Sequence, residues 1–203
     1  MNGYKINEIF YSIQGEGANA GRAAVFVRFS GCNLKCPFCD TDFKEYEVLT
    51  AEEIIARMAE VNIGHCDLCV LTGGEPTLQY DATLRNALHD AGYNIAMESN
   101  GTIIPSAAVD FLTISPKTQW DEKARTYCKY PVSEIKVVID KDTDLTALSF
   151  YEQRYPEARY YVQPCDTGFI KDNKENIKRC VGFILNHPKW QLSLQQQKII
   201  NVR

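Results

Sequence analysis

Three cysteines in one short stretch are the residues best suited to hold a metal cofactor. Cys32, Cys36 and Cys39 form a C-x3-C-x2-C pattern just after an apolar segment. Thiolates are the usual ligands of iron–sulfur clusters, and a four-iron cluster normally takes four of them. Three ligands from one compact loop leave the fourth iron open to a small molecule that offers an amine and a carboxylate. The pattern therefore predicts a [4Fe-4S] cluster with one exchangeable position.

S-adenosylmethionine (SAM) carries such an amine and carboxylate at its amino-acid end. An electron from the cluster can break its carbon–sulfur bond, which gives methionine and a 5′-deoxyadenosyl radical. In radical chemistry of this kind the cofactor performs the reaction, and the protein supplies binding, orientation and exclusion of water. The cysteine spacing therefore indicates a protein that cleaves SAM.

A second cysteine pair leaves a zinc site open as an alternative. Cys66-x2-Cys69 could join Cys36-x2-Cys39 in a four-thiolate zinc site. The chain between the two pairs is longer than in common zinc ribbons, and Cys32 would have no role. Disulfides are disfavoured because no secretory signal is visible. The remaining cysteines are expected to be structural thiols.

The bulk composition restricts the classes of protein and of partner. The 203 residues are 45% hydrophobic with a net charge of −4, so one domain over residues 1–203 is expected, without a nucleic-acid or anionic-membrane partner. No segment has the basic start and apolar run of a signal peptide. No segment approaches the roughly 20 apolar residues of a membrane helix. We therefore expect a cytoplasmic protein.

Short apolar segments alternate with helical or loop segments along the chain, which indicates a parallel sheet of the α/β class. A capping box of Thr50 and Glu53 predicts the start of one helix, and Gly92 predicts the end of the next. An eight-stranded barrel takes about 250 residues. The shorter chain therefore predicts an incomplete TIM-like barrel of about six parallel strands. These strands are predicted at 24–29, 68–72, 94–98, 111–114, 135–139 and 160–163, with 190–194 as a further candidate.

Polar signatures follow four of these strands at their carboxyl ends, where ligands bind in barrels of this kind. Two glycines in one signature allow a ligand to approach the backbone closely. A glutamate beside them can accept hydrogen bonds from an ammonium group. The four signatures are Gly73-Gly74-Glu75-Pro76, Glu98-Ser99-Asn100-Gly101, Ser115-Pro116-Lys117 and Gln163-Pro164.

Several of these motifs resemble those of a known family. CNLKCPFC, from Cys32 to Cys39, resembles the cluster motif of the radical SAM superfamily, and TGGEP resembles the motif that binds the SAM amino group. Further segments, spread over almost the whole chain, resemble the 7-carboxy-7-deazaguanine synthase family. They are IFYSIQGEG, AGRAAVFVRFSGCNLKCPFCDTDF, ESNGT, SPK and QPCD.

The resemblance implies conversion of 6-carboxy-5,6,7,8-tetrahydropterin to 7-carboxy-7-deazaguanine with loss of ammonia, in queuosine and 7-deazapurine biosynthesis. It implies a [4Fe-4S] cluster, SAM and Mg²⁺, a homodimer, and an electron donor such as flavodoxin or ferredoxin. Ala23 and Gln197 depart from the residues usual in the family. Two alternatives stay open: another small radical SAM enzyme, such as a glycyl-radical activase, and a non-catalytic zinc or iron–sulfur module.

The resemblance also implies roles for individual residues. Thr41 would ligate Mg²⁺, as a hard oxygen donor. Arg28 would contact the substrate, and a structural Asp or Glu is the alternative partner for its charge within an apolar strand. The substrate would be bound by Ile13, Gln14, Gly15, Arg28, Thr72 and the carboxylate of Arg203. SAM would be held by Phe38, Cys39, Asp40, Gly74, Glu75, Ser115, Pro116, Lys117, Gln163, Pro164, Cys165 and Asp166.

Overall fold

A nine-stranded sheet organises the computed structural model, which describes residues 3–37, 39, 45–117 and 130–202. The strands are β1 (Tyr4–Ile13), β2 (Ala23–Phe29), β3 (Glu47–Leu49), β4 (Leu68–Gly73), β5 (Asn94–Ser99), β6 (Phe111–Ile114), β7 (Glu134–Ile139), β8 (Arg159–Pro164) and β9 (Trp190–Leu192). Their order is β3-β1-β2-β4-β5-β6-β7-β8-β9. β1 pairs antiparallel with β2 and β3, and every later pair is parallel.

Helices cover one face of this sheet. They are α1 (Ala51–Val61), α2 (Ala82–Asp90), α3 (Ser149–Arg154), α4 (Ile170–Asn186) and the short α5 (Gln196–Ile199). α1 begins at the predicted capping box, in which Thr50 and Glu53 exchange hydrogen bonds with each other's backbone N–H groups. α2 ends before Gly92, which has a φ of +85°. No helix in the described ranges is long and apolar enough to cross a membrane.

Alternate residues of each strand face the helices and the opposite, inner side of the sheet. In β7 every residue is buried, and its isoleucines and valine at odd positions belong to the large core beneath the helices. By the two-residue period of a strand, Glu134, Lys136 and Val138 face inward. A small apolar cluster lines the inner side near β1, β2, β4 and β5. Its buried members are Phe10, Ala24, Phe26, Leu68, Val70 and Ala96.

The incomplete barrel is confirmed, because β3 and β9 lie at opposite edges of the described sheet and do not pair. The six predicted strands and the candidate at the C-terminal end are present, so seven of the described strands run parallel. β1 and β3 were not predicted. β1 has no strict apolar alternation that would reveal it, since the side chains of YKINEIFYSI mix charge and aromatic rings on both faces.

Two segments cross the open side of the barrel. In the loop between β1 and β2, the Ala18 N–H donates to Glu134 on β7 at 2.7 Å. The Gly17 N–H donates to Ser193, just beyond β9, at 3.0 Å. The C-terminal tail, defined as residues 193–202, returns to the same loop, where the Gln196 N–H donates to the Gly15 carbonyl. The first and last parts of the chain are therefore joined by hydrogen bonds rather than by a strand pair.

Candidate functional site

A cavity of about 500 Å³ lies at the carboxyl ends of the parallel strands. The three motif cysteines line it together, Cys32 and Cys36 being half-buried and Cys39 exposed. We call it the cluster cavity. Its volume is in the range of small-molecule sites. Among the predicted SAM contacts, it is lined by Cys39, Gly74, Ser115, Lys117, Gln163, Pro164, Cys165 and Asp166.

The glycines that follow β4 let two backbones approach each other at this cavity. A Cβ atom on Gly74 would lie 1.8 Å from the Gly31 carbonyl oxygen, just before the first cysteine. A Cβ on Gly73 would lie 2.2 Å from the Phe29 carbonyl oxygen, and Gly73 also has a φ of +116°. Only glycine fits both positions without displacing main chain. The cysteine loop is therefore packed directly against the end of β4.

Glu75 is turned away from the cluster cavity and is fully buried. One carboxylate oxygen accepts hydrogen bonds from the backbone and hydroxyl of Thr77 and from the Ser99 hydroxyl, at 2.6–3.1 Å. The other accepts from the Asn100 N–H at 2.7 Å. The Asn100 side chain in turn donates to Asn33 in the cysteine loop. Glu75 therefore ties three loops together, and its predicted contact with the SAM amino group stays a prediction.

A second cavity, of about 360 Å³, adjoins the first and reaches toward β1 and β2. We call it the inner cavity. It collects every predicted substrate contact that the structure describes. These are Ile13, Gln14, Gly15, Arg28 and Thr72.

Arg28 has a carboxylate partner in the inner cavity. Its Nε donates to Glu8 at 2.7 Å, and both side chains are about one-quarter exposed. The guanidinium also lies over the ring of Phe10, which stacks on Phe26. The structural carboxylate that the sequence left open is therefore present. Contact between Arg28 and a substrate stays a prediction.

A buried ion-pair cluster lies where the two cavities meet. The Lys136 Nζ is 2.5 Å from Glu16 and 2.7 Å from Glu98. Glu98 also accepts from the Gln14 side chain, and Glu16 accepts from Gln195, each at 2.9 Å. Both cavities are lined by five residues: Glu16, Thr72, Glu98, Gln195 and Lys198.

Burial and charge oppose each other in this ion-pair cluster. Burial disfavours ionisation of Glu16, but the attraction and hydrogen bonds of Lys136 outweigh it and lower the pKa of Glu16 to about 2. Burial likewise disfavours the charged form of Lys136, and the two carboxylates outweigh it, so the pKa of Lys136 is raised. Glu16 and Lys136 are therefore both charged at neutral pH where they face the cluster cavity.

Two other groups of the cluster cavity have perturbed pKa values. Burial lowers the pKa of Lys117, whose amino group donates to Ser115. Burial, together with the charges of Glu75 and Cys39, raises the pKa of the Cys32 thiol. A bound cation offsets such a penalty, because a thiol that coordinates a metal is deprotonated outright. The cysteine set, the glycine approach and the polar strand ends therefore fit an iron–sulfur cluster with SAM.

The C-terminal tail covers the inner cavity. Gln197 packs so closely on Gly15 that a Cβ there would lie 1.7 Å from its side-chain oxygen. The Lys198 ammonium pairs with Asp166, beyond β8, at 3.0 Å. Backbone and side-chain hydrogen bonds, with Lys198, lower the pKa of Asp166 to about 2. The tail therefore links the loop after β1 to the loop after β8.

Some residues with predicted roles are not found in either cavity. Pro116 is buried and does not line either cavity. Four residues with predicted roles lie outside the described residues, so the structure does not test them. They are Phe38, Asp40, Thr41 and Arg203.

The sequence analysis did not single out Lys136, Gln195 and Lys198, polar residues that line this site. Glu98 belongs to one of the predicted strand-end signatures, as a structural loop carboxylate or a ligand contact, and Glu16 belongs to the IFYSIQGEG segment. The available signal was in EIKVVI, where Glu134 and Lys136 alternate with apolar residues in a strand that is otherwise fully buried.

The zinc alternative is contradicted by the fold. Cys69 is fully buried in the core beneath the helices, near the start of β4, and Cys66 packs against that core. The motif cysteines lie beyond the opposite, carboxyl ends of the strands. At about 3.3 Å per residue, the length of β4 separates the two pairs too far for a zinc ion with thiolates at 2.3 Å.

An incomplete parallel barrel with three cysteines at its carboxyl ends defines the class of protein. Residues 26–187 match the Radical SAM superfamily. Proteins of this class bind a [4Fe-4S] cluster and SAM. The fold agrees with a solved structure, that of QueE from Escherichia coli, with a TM-score of 0.80 over 95% of this chain and 93% of that chain. The two sequences are 22% identical, so this likeness shows the fold alone.

Curated relatives narrow the class further. The chain is 42% identical to 7-carboxy-7-deazaguanine synthase of Bacteroides thetaiotaomicron over 98% of both chains. It is 37% identical to the enzyme of that name from Caulobacter vibrioides, over 98% of this chain and 99% of that one. The chain therefore belongs to the 7-carboxy-7-deazaguanine synthase family.

Proposed function

We propose that this protein converts 6-carboxy-5,6,7,8-tetrahydropterin to 7-carboxy-7-deazaguanine with loss of ammonia, for queuosine and other 7-deazapurines. The observation that supports this best is the pair of adjoining cavities. Of these two cavities, the cluster cavity is the one that the motif cysteines line, and the inner cavity is the one that Gln14 and Arg28 line. SAM and a second small molecule can therefore be held side by side.

The chain's own residues bind, orient and shield the reactants. When bound, the cluster and SAM supply a 5′-deoxyadenosyl radical. Cys32, Cys36 and Cys39 would hold the cluster, and Gly74 would let the backbone approach SAM. Thr72 lies on the wall common to both cavities, where a substrate would meet SAM. Holding the two reacting carbons close is mostly a matter of positioning, and the tail above the inner cavity would limit water.

The remaining expectations rest on the family resemblance. Thr41 would ligate Mg²⁺ beside the substrate, and the carboxylate of Arg203 would reach the substrate. The protein would act as a cytoplasmic homodimer and receive electrons from flavodoxin or ferredoxin. The activase alternative is disfavoured because the IQGEG segment lines an inner cavity of about 360 Å³, which has the size of a small-molecule site.

Anaerobic reconstitution tests this function. The chain is loaded with iron and sulfide, supplied with SAM, Mg²⁺, reductant and 6-carboxytetrahydropterin, and the products are identified by mass spectrometry. We expect 7-carboxy-7-deazaguanine together with 5′-deoxyadenosine. Cleavage of SAM without the deazaguanine would disprove the substrate, and a chain that binds no cluster would disprove the radical mechanism as well. Omitting Mg²⁺ should lower the rate of product formation.

A further inference from the structure

Lys136 is a buried ammonium at the centre of the molecule, and none of the roles above uses it. Its side chain is 2% exposed, and its Nζ contacts carboxylates of Glu16 and Glu98. The three residues come from the loop after β1, from β5 and from β7, three elements of the inner side of the barrel. One ammonium therefore connects parts of the chain that share no strand pair.

The two carboxylates occupy the wall between the cavities. Glu16 and Glu98 line both cavities, whereas Lys136 lines only the cluster cavity. Lys136 therefore approaches the two carboxylates from the side of the cluster cavity, and the carboxylates also face the inner cavity. The second oxygen of Glu98 accepts from Gln14, a predicted substrate contact, at 2.9 Å. The position of Lys136 thus determines where hydrogen-bond acceptors are presented to the inner cavity.

Stability alone does not account for such an arrangement. A buried ion pair gains little for folding, because the desolvation of its charges offsets their attraction, and apolar residues of similar volume often serve as well. The neighbouring inner face shows this alternative, since the part of it that lines neither cavity is filled by Ala24, Leu68 and Ala96. The charged cluster occurs instead where the inner face opens into the cavities.

We propose that Lys136 is a positioning residue for the reaction: it fixes Glu16 and Glu98 on the shared wall as oriented acceptors for N–H groups of the substrate. This inference rests on the proposed function. It predicts that substrate binding and coupling depend on Lys136, whereas cluster assembly and SAM cleavage do not.

The test compares Lys136→Met with Lys178→Met, a matched change at an exposed lysine of α4. Both full-length variants are reconstituted anaerobically. The dissociation constant of 6-carboxytetrahydropterin is measured by equilibrium dialysis with SAM and without reductant, and KM, kcat and the ratio of 5′-deoxyadenosine to product are measured during turnover. For Lys136→Met we expect the dissociation constant and KM of the pterin to rise by about tenfold or more, as for loss of a charge-assisted contact. The variant should form excess 5′-deoxyadenosine over product. Its cluster absorbance should equal that of the wild type. Lys178→Met should match the wild type.

The pH dependence of binding separates positioning from a purely structural role. The charged groups that face Lys136 are Glu16 and Glu98 in contact, with Glu134 and Lys117 nearby. In the wild type Glu16 stays ionised, so binding should be nearly constant from pH 6 to 8. Without the ammonium, the burial that opposes ionisation of Glu16 is no longer outweighed, so the pKa of Glu16 rises. Binding by Lys136→Met should therefore strengthen as pH rises.

Substrate binding and turnover by Lys136→Met test the positioning role directly. If Lys136→Met binds and turns over substrate like the wild type, the inference is wrong. If Lys136→Met fails to fold, Lys136→Met/Glu16→Gln removes the uncompensated repulsion and is compared with Glu16→Gln alone. We expect the double variant to bind the pterin more weakly, and equal binding would overturn the inference. If the wild type makes no deazaguanine, the proposed function is wrong, and this inference is wrong with it. If the wild type and Lys136→Met make deazaguanine equally well, only the inference is wrong.

Discussion

Gly74 and Glu75, neighbours in the TGGEP segment, have different structural roles. Gly74 acts through the space that it leaves, because the Gly31 carbonyl lies where a Cβ would be. Glu75 acts through hydrogen bonds that it accepts from Thr77, Ser99 and Asn100. One residue allows the cysteine loop to approach, and the next holds the surrounding loops in place. Their roles in the segment are therefore steric and structural before any ligand binds.

Gly74→Ala should damage the cluster site. The added methyl group would meet the Gly31 carbonyl at 1.8 Å, a contact with backbone that no side-chain rotation relieves. We expect a loss of about 1–3 kcal/mol in the free energy of unfolding, as for overpacking, and less iron bound after reconstitution, measured by metal analysis. The matched control is Gly182→Ala, where a Cβ meets nothing within 4 Å. Equal iron contents in the two variants would contradict the steric argument.

Among the elements, α1 shows most directly how local sequence determines structure. The Thr50 hydroxyl accepts from the Glu53 N–H, and the Glu53 carboxylate accepts from the Thr50 N–H. The buried face of the helix is formed by Ala51, Ile54 and Met58. Because cap and apolar face both come from adjacent residues, the helix is specified locally. None of its residues lines either cavity.

Thr50→Ala should therefore lower stability without affecting the chemistry. Loss of the cap costs about 1 kcal/mol, which urea unfolding monitored by circular dichroism would measure. SAM cleavage per bound cluster should stay at the wild-type value. Thr50→Ser keeps the hydroxyl and should retain most of the stability. A Thr50→Ser variant as unstable as Thr50→Ala would show that the methyl group, rather than the cap, matters.

The whole molecule is a barrel closed by loops. The sheet is open between its edge strands β3 and β9, and the loop after β1 and the C-terminal tail cross the open side. Polar contacts, including Gln195 with Glu16 and Lys198 with Asp166, hold the tail in place. Such contacts gain less than a strand pair would, but they allow residues from both ends of the chain to line the same cavities.

Deletion of residues 195–203 should separate SAM cleavage from product formation. The parallel strands and the cysteine loop do not depend on these residues, so the far-ultraviolet circular dichroism and the cluster absorbance should be retained. The inner cavity would open to water, and the ratio of 5′-deoxyadenosine to deazaguanine should rise. Gln196→Ala, which leaves the backbone contact to Gly15 intact, serves as the control. A shortened chain with the wild-type ratio would show that the tail does not shield the reaction.

Features that depend on neighbouring residues could be predicted from the sequence. The cysteine spacing, the capping box, the strand ends and the incomplete barrel are all local or periodic patterns, and the structure has them. Family resemblance added the substrate residues, and Gln14, Arg28 and Thr72 do meet in one cavity. β1 was missed because its apolar residues do not alternate strictly.

Only the tertiary structure decided which charged groups meet. Lys136 and Glu16 are 120 residues apart in the chain, and no local pattern relates them. The same holds for Glu75, which faces protein donors instead of the cluster cavity, and for the pairing of Arg28 with Glu8. The sequence by itself determined a three-cysteine cluster loop at the ends of parallel strands, because those positions follow from short-range spacing. The ion-pair cluster between the cavities depends on how the barrel folds back on itself, because a buried charge is stable only where distant partners converge.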